Sequence, residues 1–162
     1  MRYAFGIAIC AAIAAGCDQP RPSVEVVAFG DSATSGASEQ DYIEFLAEDL
    51  GLSADDWANE GHGGETAEEG AARLRMLLDR EMYPNARVLL YWQGGNDLID
   101  AMQQVDPLLL FSPAASDYPF REQLDNVLTR IEQAVEGAVA AAQGAGLQVF
   151  VANYFNLQHG LS

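Results

Sequence analysis

Residues 24–32 read VEVVAFGDS, and this stretch decides the fold. Its first part, Val24 to Phe29, is a near-continuous apolar run rich in β-branched residues, which is typical of a strand buried on both faces. Gly30 closes the run, and Asp31 and Ser32 follow at once. The stretch therefore predicts a buried strand that ends in a tight turn carrying a serine.

Strands and helices alternate along the rest of the chain. Further strands are predicted at Asp56 to Asn59, Val88 to Trp92 and Leu147 to Ala152, the last two as buried strands. Apolar strands that alternate with helices predict an α/β protein with a parallel sheet covered on both faces. We expect a flavodoxin-like, three-layer fold.

Four helical segments separate these strands, and each has an apolar face or a boundary signal. The first is capped by Ser38 and ended by Gly51, with Ile43, Leu46, Ala47 and Leu50 on its apolar face. The second opens with a capping box of Thr66 and Glu69 and buries Ala71, Leu74, Leu77 and Leu78. The third is a turn over Leu98 to Met102. The fourth ends near Gly144 and Gly146, with Leu124, Val127, Leu128, Ile131, Val135 and Val139 on one face.

Three polar stretches follow the predicted strands in order. They are Gly30 to Ser32, Asn59 to Gly64, and Gly94 to Asp97. Ligands of open parallel sheets bind at the carboxyl ends of the strands, so the three stretches are placed to share one site.

Together these stretches contain parts of an acyl-transfer site. Ser32 offers a hydroxyl nucleophile, the glycines around Gly64 let the backbone approach a bound group, and Asn96 offers an amide that can face an oxyanion. Taken singly, each stretch is more often an ordinary turn or loop than part of a catalytic site. Their joint occurrence is what favours catalysis.

The order and residue types of the stretches resemble the SGNH or GDSL hydrolase family, in its lysophospholipase-like esterase branch. Phe29 to Ser32 is similar to the first block of the family, Asn59 to Leu74 to the second, and Gly94 to Asp97 to the third. Val149 to Tyr154 is similar to the region of its fourth strand. The resemblance covers nearly all of the chain after residue 23.

The resemblance implies a serine hydrolase that cleaves acyl esters of small molecules or lipids through an acyl-enzyme. Ser32 would be the nucleophile, and the N–H groups of Ser32 and Gly64 with the Asn96 amide would form the oxyanion hole. Asp31 and Asp97 would support these blocks. The mechanism needs neither a metal nor an organic cofactor.

The histidine base is where the resemblance breaks. The family carries it in a late Asp-x-x-His block, whereas this chain has only Asn156-Leu157-Gln158-His159 near its end and a second histidine, His62, in the glycine loop. We expect neither to be the base, and we expect the domain to lack its last strand and helix. The chain would then be nearly inactive, and the strand Leu147 to Ala152 would be an exposed apolar edge.

Two questions of function stay open on the sequence. The apolar residues Leu108, Leu109, Leu110 and Phe111 suit either a wall for the acyl chain or a local hydrophobic cluster. A carbohydrate acetylesterase would use the same fold and mechanism, and a non-catalytic lipoprotein that binds a carbohydrate or a protein would explain the absent base.

The N-terminus resembles the signal of a bacterial lipoprotein. Arg2 precedes the apolar run Tyr3 to Ala15, and Ala14-Ala15-Gly16-Cys17 is similar to a lipobox. We expect a signal peptide at 1–16, lipid on Cys17, a tether at 17–23 and the hydrolase domain at 24–162, anchored in the cell envelope. An ordinary secretory peptide or an uncleaved helix are the alternatives.

The strongly negative net charge limits the kinds of molecule that the chain is expected to bind. The chain has 24 acidic and 8 basic residues, a net charge of −16, and all of its basic residues are arginine. With no basic stripe, nucleic acid is excluded as a partner, and anionic lipid would repel the domain, so that only the N-terminal lipid would hold it to a membrane. With Cys10 removed and Cys17 acylated, no disulfide or cysteine metal site is expected, and the sequence indicates no oligomeric state.

The lipoprotein hypothesis predicts that Cys17→Ser abolishes lipid attachment. In a bacterial host the wild-type protein is expected to partition into the detergent phase, with a mass that lacks residues 1–16 and carries acyl chains. The Cys17→Ser protein is expected in the aqueous phase, and Cys10→Ser serves as the matched control. Detergent-phase partition of Cys17→Ser would contradict the hypothesis.

Overall fold

A computed structural model of the chain describes residues 19–36, 42–103 and 119–152, with side chains described from 122 in the last range. The strands are β1 Val26–Gly30, β2 Trp57–Gly61, β3 Val88–Trp92 and β4 Gln148–Val151. The helices are α1 Ser32–Ser35, α2 Tyr42–Leu50, α3 Ala67–Asp79, α4 Gly95–Gln103 and α5 Pro119–Gly144. The expected cap Ser38, the Leu108 to Phe111 cluster, the N-terminal signal with Cys17 and the residues around His159 lie outside the described ranges.

The four strands form one parallel sheet in the order β2-β1-β3-β4. The central strand β1 is buried along its whole length, and its last residue, Gly30, pairs with Gly61 on one side and Trp92 on the other. The polar stretches after β1, β2 and β3 therefore leave the sheet at the same edge. The prediction of an α/β fold with a parallel sheet is confirmed.

Helices cover both faces of the sheet. The larger core lies between one face and the helices α3 and α5, and its buried residues include Val27, Phe29, Leu74, Leu89 and Ala138. The smaller core lies on the other face, where α2 places Ile43 against Val26 and Ala28. Burial of these side chains supplies the main driving force that holds the three layers together.

The boundaries of α4 and the apolar faces of two other helices differ from the predictions. Helix α4 begins at Gly95 rather than Leu98, since Gly94 has a φ of +109° and reverses the chain just before the helix. Leu50 in α2 is 60% exposed and Leu128 in α5 is 45% exposed, so neither belongs to the core. Both positions fit the apolar stripe of an isolated helix but lie at its margin once the helix packs on the sheet.

The last described strand is an exposed edge. The prediction that Leu147 to Ala152 forms a buried strand was wrong, because Phe150 and Val151 are each 51% exposed and β4 pairs only with β3 among the described strands. The expectation of an exposed apolar edge at this strand agrees with the structure. Beside it, an apolar groove of about 400 Å³ lies between α2 and β4. In the described ranges, no helix has the length and hydropathy needed to cross a membrane.

The turn after β1 packs directly on the end of β2. A Cβ added at Gly61 would lie 2.0 Å from the backbone nitrogen of Ser35 and 2.4 Å from its Cα. The Asn59 side chain fastens this contact, since its Nδ2 donates to the Thr34 carbonyl at 2.9 Å and its Oδ1 accepts from the Gly61 N–H at 2.7 Å. Only glycine allows this approach.

A stack of aromatic and charged groups fills the core beneath the end of β1. The rings of Phe29 and Tyr91 are parallel, with centroids 5.7 Å apart, and the Arg73 guanidinium lies 4.0 Å from the centroid of Phe29. Tyr91 is 1% exposed, and its hydroxyl makes no hydrogen bond to the described part of the chain. Burial, with a smaller effect of the Glu65 charge, holds the pKa of Tyr91 above its usual range.

Gly61→Ala is predicted to destabilise the fold, because the new methyl group meets backbone that cannot move aside without breaking the Asn59 contacts. We expect a loss of about 2 kcal/mol or more in the free energy of unfolding, measured by denaturant titration. Gly63→Ala is the matched control, since a Cβ there would lie 3.9 Å from the Ser32 Cβ, an ordinary contact. Equal losses in the two variants would contradict the packing argument.

Tyr91→Phe is predicted to reduce the loss of stability in alkali. Above about pH 10 an unfolded tyrosine releases its proton while buried Tyr91 keeps it, so stability falls by up to about 1.4 kcal/mol per pH unit as pH rises. The variant is expected to show a shallower fall and to be as stable as wild type at pH 7, because no hydrogen bond is lost.

Tyr83→Phe is the control for this measurement. Burial, then the Glu60 side chain that accepts from its hydroxyl, holds the pKa of Tyr83 above its usual range as well. This variant is expected to lose stability already at pH 7, since it leaves Glu60 without that donor. An unchanged alkaline slope in Tyr91→Phe would show that Tyr91 does not titrate as its burial implies.

Candidate active site

The three polar stretches meet at the carboxyl edge of the sheet, as predicted. Ser32 is the first residue of α1 directly after β1, the loop from His62 to Thr66 follows β2, and Asn96 lies in the first turn of α4 after β3. The loop lies close to the serine, since a Cβ added at Gly63 would lie 3.9 Å from the Ser32 Cβ. Ser32 and Gly64 are both exposed to solvent, and Asn96 is half-buried.

Asp31 fixes the turn that presents Ser32. Its carboxylate is 1% exposed, caps α1 by accepting from the Ala33 N–H at 2.9 Å, and accepts from the Gly95 N–H at 3.3 Å. The Asp31 N–H in turn donates to the Trp92 carbonyl at 3.2 Å. One buried side chain therefore joins the serine turn to the start of α4.

The glycine loop keeps a backbone donor available near Ser32. The loop is fastened at its start by the His62 N–H, which donates to the Gly30 carbonyl at 2.8 Å. Gly64 has a φ of +84°, a conformation that other residues rarely adopt. None of the hydrogen bonds within the described ranges uses the Gly64 N–H, so this group remains able to bind an oxyanion.

Asn96 is oriented by the same loop. Its Nδ2 donates to the Glu65 carbonyl at 2.9 Å, which settles the side-chain amide with the NH₂ group toward the loop. An amide nitrogen carries two hydrogens, so one N–H holds the loop while the second remains for another acceptor. Nearby, Asp97 accepts from the Ala67 N–H at 2.8 Å and ties α4 to the start of α3.

The structure thus brings together all five residues proposed for the centre of the site. The carboxyl edge of the sheet, called the rim below, carries Ser32, Gly64 and Asn96. Beneath the rim, the stretches are linked by the side chains of Asp31 and Asp97. Their chemical roles stay predictions. The proposed acyl-wall residues Leu108, Leu109 and Phe111 lie outside the described ranges.

A buried polar network under the rim was missed by the sequence reasoning. Glu65 is 8% exposed, and its carboxylate binds Arg73 and Gln93, while Arg73 also binds Glu60. One signal was available, because Glu60 lies two residues after the buried Ala58 and so faces the same side of the sheet. The same spacing marks Gln93, two residues after the buried Tyr91, whereas nothing comparable in the local pattern marks Glu65 as buried.

The described ranges contain no base hydrogen-bonded to the serine. His62 is exposed, and no hydrogen bond within these ranges involves the Ser32 hydroxyl. A polar cavity of about 460 Å³ opens beside Asp97, with Asp100, Glu122 and Arg130 also lining it. The described part of the chain holds no group of three metal-ligating side chains.

The chain is similar in fold to solved esterase structures. It aligns with AlinE4, an SGNH-hydrolase family esterase, at 20% identity and a TM-score of 0.52, covering 79% of this chain and 57% of that one. For the psychrotrophic esterase EstA from Pseudoalteromonas sp., in a structure inhibited by monoethylphosphonate, the identity is 16%, the TM-score 0.54 and the coverage 81% and 60%. For TesA the identity is 18%, the TM-score 0.52 and the coverage 85% and 64%.

These likenesses concern the fold, and the chain spans 57–64% of the length of the three structures. No curated protein sequence matches the chain. The sequence itself is matched over residues 26–155 by the family model described as GDSL-like Lipase/Acylhydrolase. That match extends from β1 through all three polar stretches, and the chain therefore belongs to the GDSL lipase/acylhydrolase family.

Proposed function

We propose that this chain carries the nucleophile and the oxyanion hole of a serine hydrolase that cleaves acyl esters. The observation that carries the proposal is the hydrogen bond from the Asn96 amide to the Glu65 carbonyl, in a glycine loop that lies close to Ser32. A side-chain amide and a backbone N–H with no partner in the described ranges near one exposed hydroxyl support the proposed oxyanion hole. Membership of an acylhydrolase family supports the same chemistry.

The reaction follows from these groups. The Ser32 hydroxyl attacks the ester carbonyl and passes its proton to a base, and the carbonyl oxygen becomes an oxyanion. The N–H groups of Ser32 and Gly64 and the second N–H of Asn96 bind that oxyanion, and each such donor contributes about 10²–10³ in rate. The tetrahedral intermediate collapses, the alcohol leaves with the proton, and water then releases the acid from the acyl-enzyme.

The base of this reaction is proposed to lie outside the described ranges. His62 is exposed and donates its backbone N–H to Gly30, and nothing connects its ring to Ser32. A serine hydrolase without its base loses about 10⁴–10⁶ in turnover, so we expect any form of the protein that lacks the base to turn over very slowly. The lipid proposed at Cys17 would hold the site at a membrane of the cell envelope, close to lipid esters.

Ser32→Ala is predicted to remove both covalent labelling and ester hydrolysis. The proteins compared are the chain to Ser162 and the same chain with any further sequence that its gene encodes, each with p-nitrophenyl acetate and with an activated alkyl phosphonate. Phosphonates are suitable probes because EstA was solved inhibited by one. We expect Ser32-dependent labelling and hydrolysis in whichever form contains the base, at a rate about 10⁴-fold or more above a form that lacks it.

Ser35→Ala is the matched control, because Ser35 is an exposed serine of the same short helix. It is expected to keep both labelling and hydrolysis. Ser32-dependent turnover at full rate in the shorter form would instead identify His62 or His159 as the base. Absence of labelling and hydrolysis in both forms would overturn the proposal and favour a non-catalytic binding protein.

A further inference from the structure

The carboxylate of Glu65 turns away from the rim into the protein. It is surrounded by three donors, because Oε1 accepts from Arg73 Nε at 2.6 Å and Oε2 accepts from Arg73 Nη2 at 2.8 Å and from Gln93 Nε2 at 2.6 Å. A charge this buried is retained only where hydrogen bonds and an opposite charge offset the loss of water. Both oxygens of Glu65 are therefore needed as acceptors.

The donors that hold Glu65 are themselves fixed. Arg73 Nη2 donates to the Glu60 carbonyl at 2.8 Å, Nη1 binds the Glu60 carboxylate at 3.0 Å, and the guanidinium lies over the Phe29 ring. The Gln93 side chain passes over Gly70, where an added Cβ would lie 2.2 Å from its Nε2. The carboxylate thus binds to a rigid support built from β1, β2, β3 and α3.

The backbone of Glu65 is linked to both proposed oxyanion donors. The Glu65 carbonyl accepts from Asn96 Nδ2, and the Glu65 nitrogen is joined through the peptide bond to Gly64. Gly64, with its positive φ, lies inside the turn that the Glu65 N–H closes by donating to the His62 carbonyl at 3.3 Å. The direction of both proposed oxyanion donors consequently depends on where Glu65 is held.

We propose that Glu65 is a positioning residue for the oxyanion hole, a role that rests on the esterase function proposed above. Its carboxylate, bound to Arg73 and Gln93, holds the glycine loop so that the Gly64 N–H and the free Asn96 N–H face one point beside Ser32. Glu65 does not touch the substrate. It acts through Gly64 and Asn96, whose backbone N–H and side-chain amide would contact the substrate.

A comparison of the variants Glu65→Gln and Glu60→Gln separates this positioning role from a purely structural one. Glutamine has nearly the shape of glutamate, but its NH₂ group must face either Arg73 or Gln93, so a donor meets a donor and the loop shifts. Glu60→Gln removes a carboxylate from the same arginine, yet Glu60 lies on β2 and its backbone does not contact Asn96. Both variants are expected to lower the melting temperature.

Two readouts are measured on the chain together with any further sequence that its gene encodes. In Glu65→Gln we expect kcat for p-nitrophenyl acetate to fall about 10- to 100-fold with KM changed less than about threefold, because the lost donors act mainly in the transition state. In Glu60→Gln we expect kcat within about threefold of wild type. Equal losses of kcat in the two variants would overturn the proposal.

The second readout is independent of turnover. In ¹⁵N–¹H spectra, Glu65→Gln is expected to shift and broaden the Gly64 amide and the Asn96 side-chain amide, and Glu60→Gln is expected to leave both in place. Unmoved signals in Glu65→Gln would overturn the positioning role. If wild type shows no Ser32-dependent hydrolysis while these signals move as expected, the esterase function fails and the positioning of the two amides stands.

Discussion

The parallel pairing of β1 with a strand on each side is the constraint on which the site depends. Gly30 pairs with Gly61 and Trp92 at the ends of β2 and β3, so three loops start from one edge within two strand spacings. A shift of register in either pair would move one loop along the sheet and turn its side chains to the other face. The geometry of Ser32, the glycine loop and Asn96 is therefore decided by backbone hydrogen bonds below them.

The polar network beneath the rim adds rigidity where the backbone is most permissive. A chain segment with Gly61, Gly63 and Gly64 has little intrinsic preference for one conformation. The buried pair of Arg73 and Glu65 limits that freedom, with Gln93 as a further donor to Glu65 and Glu60 as a further acceptor for Arg73. An ion pair at this depth contributes little net stability, and its effect is to select one arrangement of the loop.

The sequence predicts the sheet well and the site only in part, for a physical reason. Strands and long helices depend on local periodicity, so β1, β3, the capping box of α3 and the long helix α5 were predicted close to their observed bounds. The start of α4 was not, because the acceptor for the Gly95 N–H is Asp31, a residue 64 positions earlier in the chain. Local sequence patterns cannot predict a helix cap that is supplied by so distant a residue.

The same limit explains why Glu65 was overlooked while Ser32, Gly64 and Asn96 were found. The three latter residues follow strand ends, a position that the strand pattern itself marks. Glu65 is an acidic residue in a polar loop, and on the sequence it is indistinguishable from the many exposed carboxylates of a chain with a net charge of −16. Its burial follows from Arg73, Gln93 and Gly70 coming together in three dimensions.

At the rim, the acidic residues of the motifs bind the starts of helices, whereas the proposed role of the hydrogen-bond donors is to bind an oxyanion. The first turns of helices carry N–H groups without partners inside the helix, and at this edge carboxylates from other segments satisfy them. Asp31 accepts from Gly95 at the start of α4, and Asp97 accepts from Ala67 at the start of α3. With these two carboxylates bound within the scaffold, the Ser32 hydroxyl, the Gly64 N–H and the second Asn96 N–H have no partner in the described ranges. Donors at such a position suit the proposed stabilisation of negative charge during a reaction.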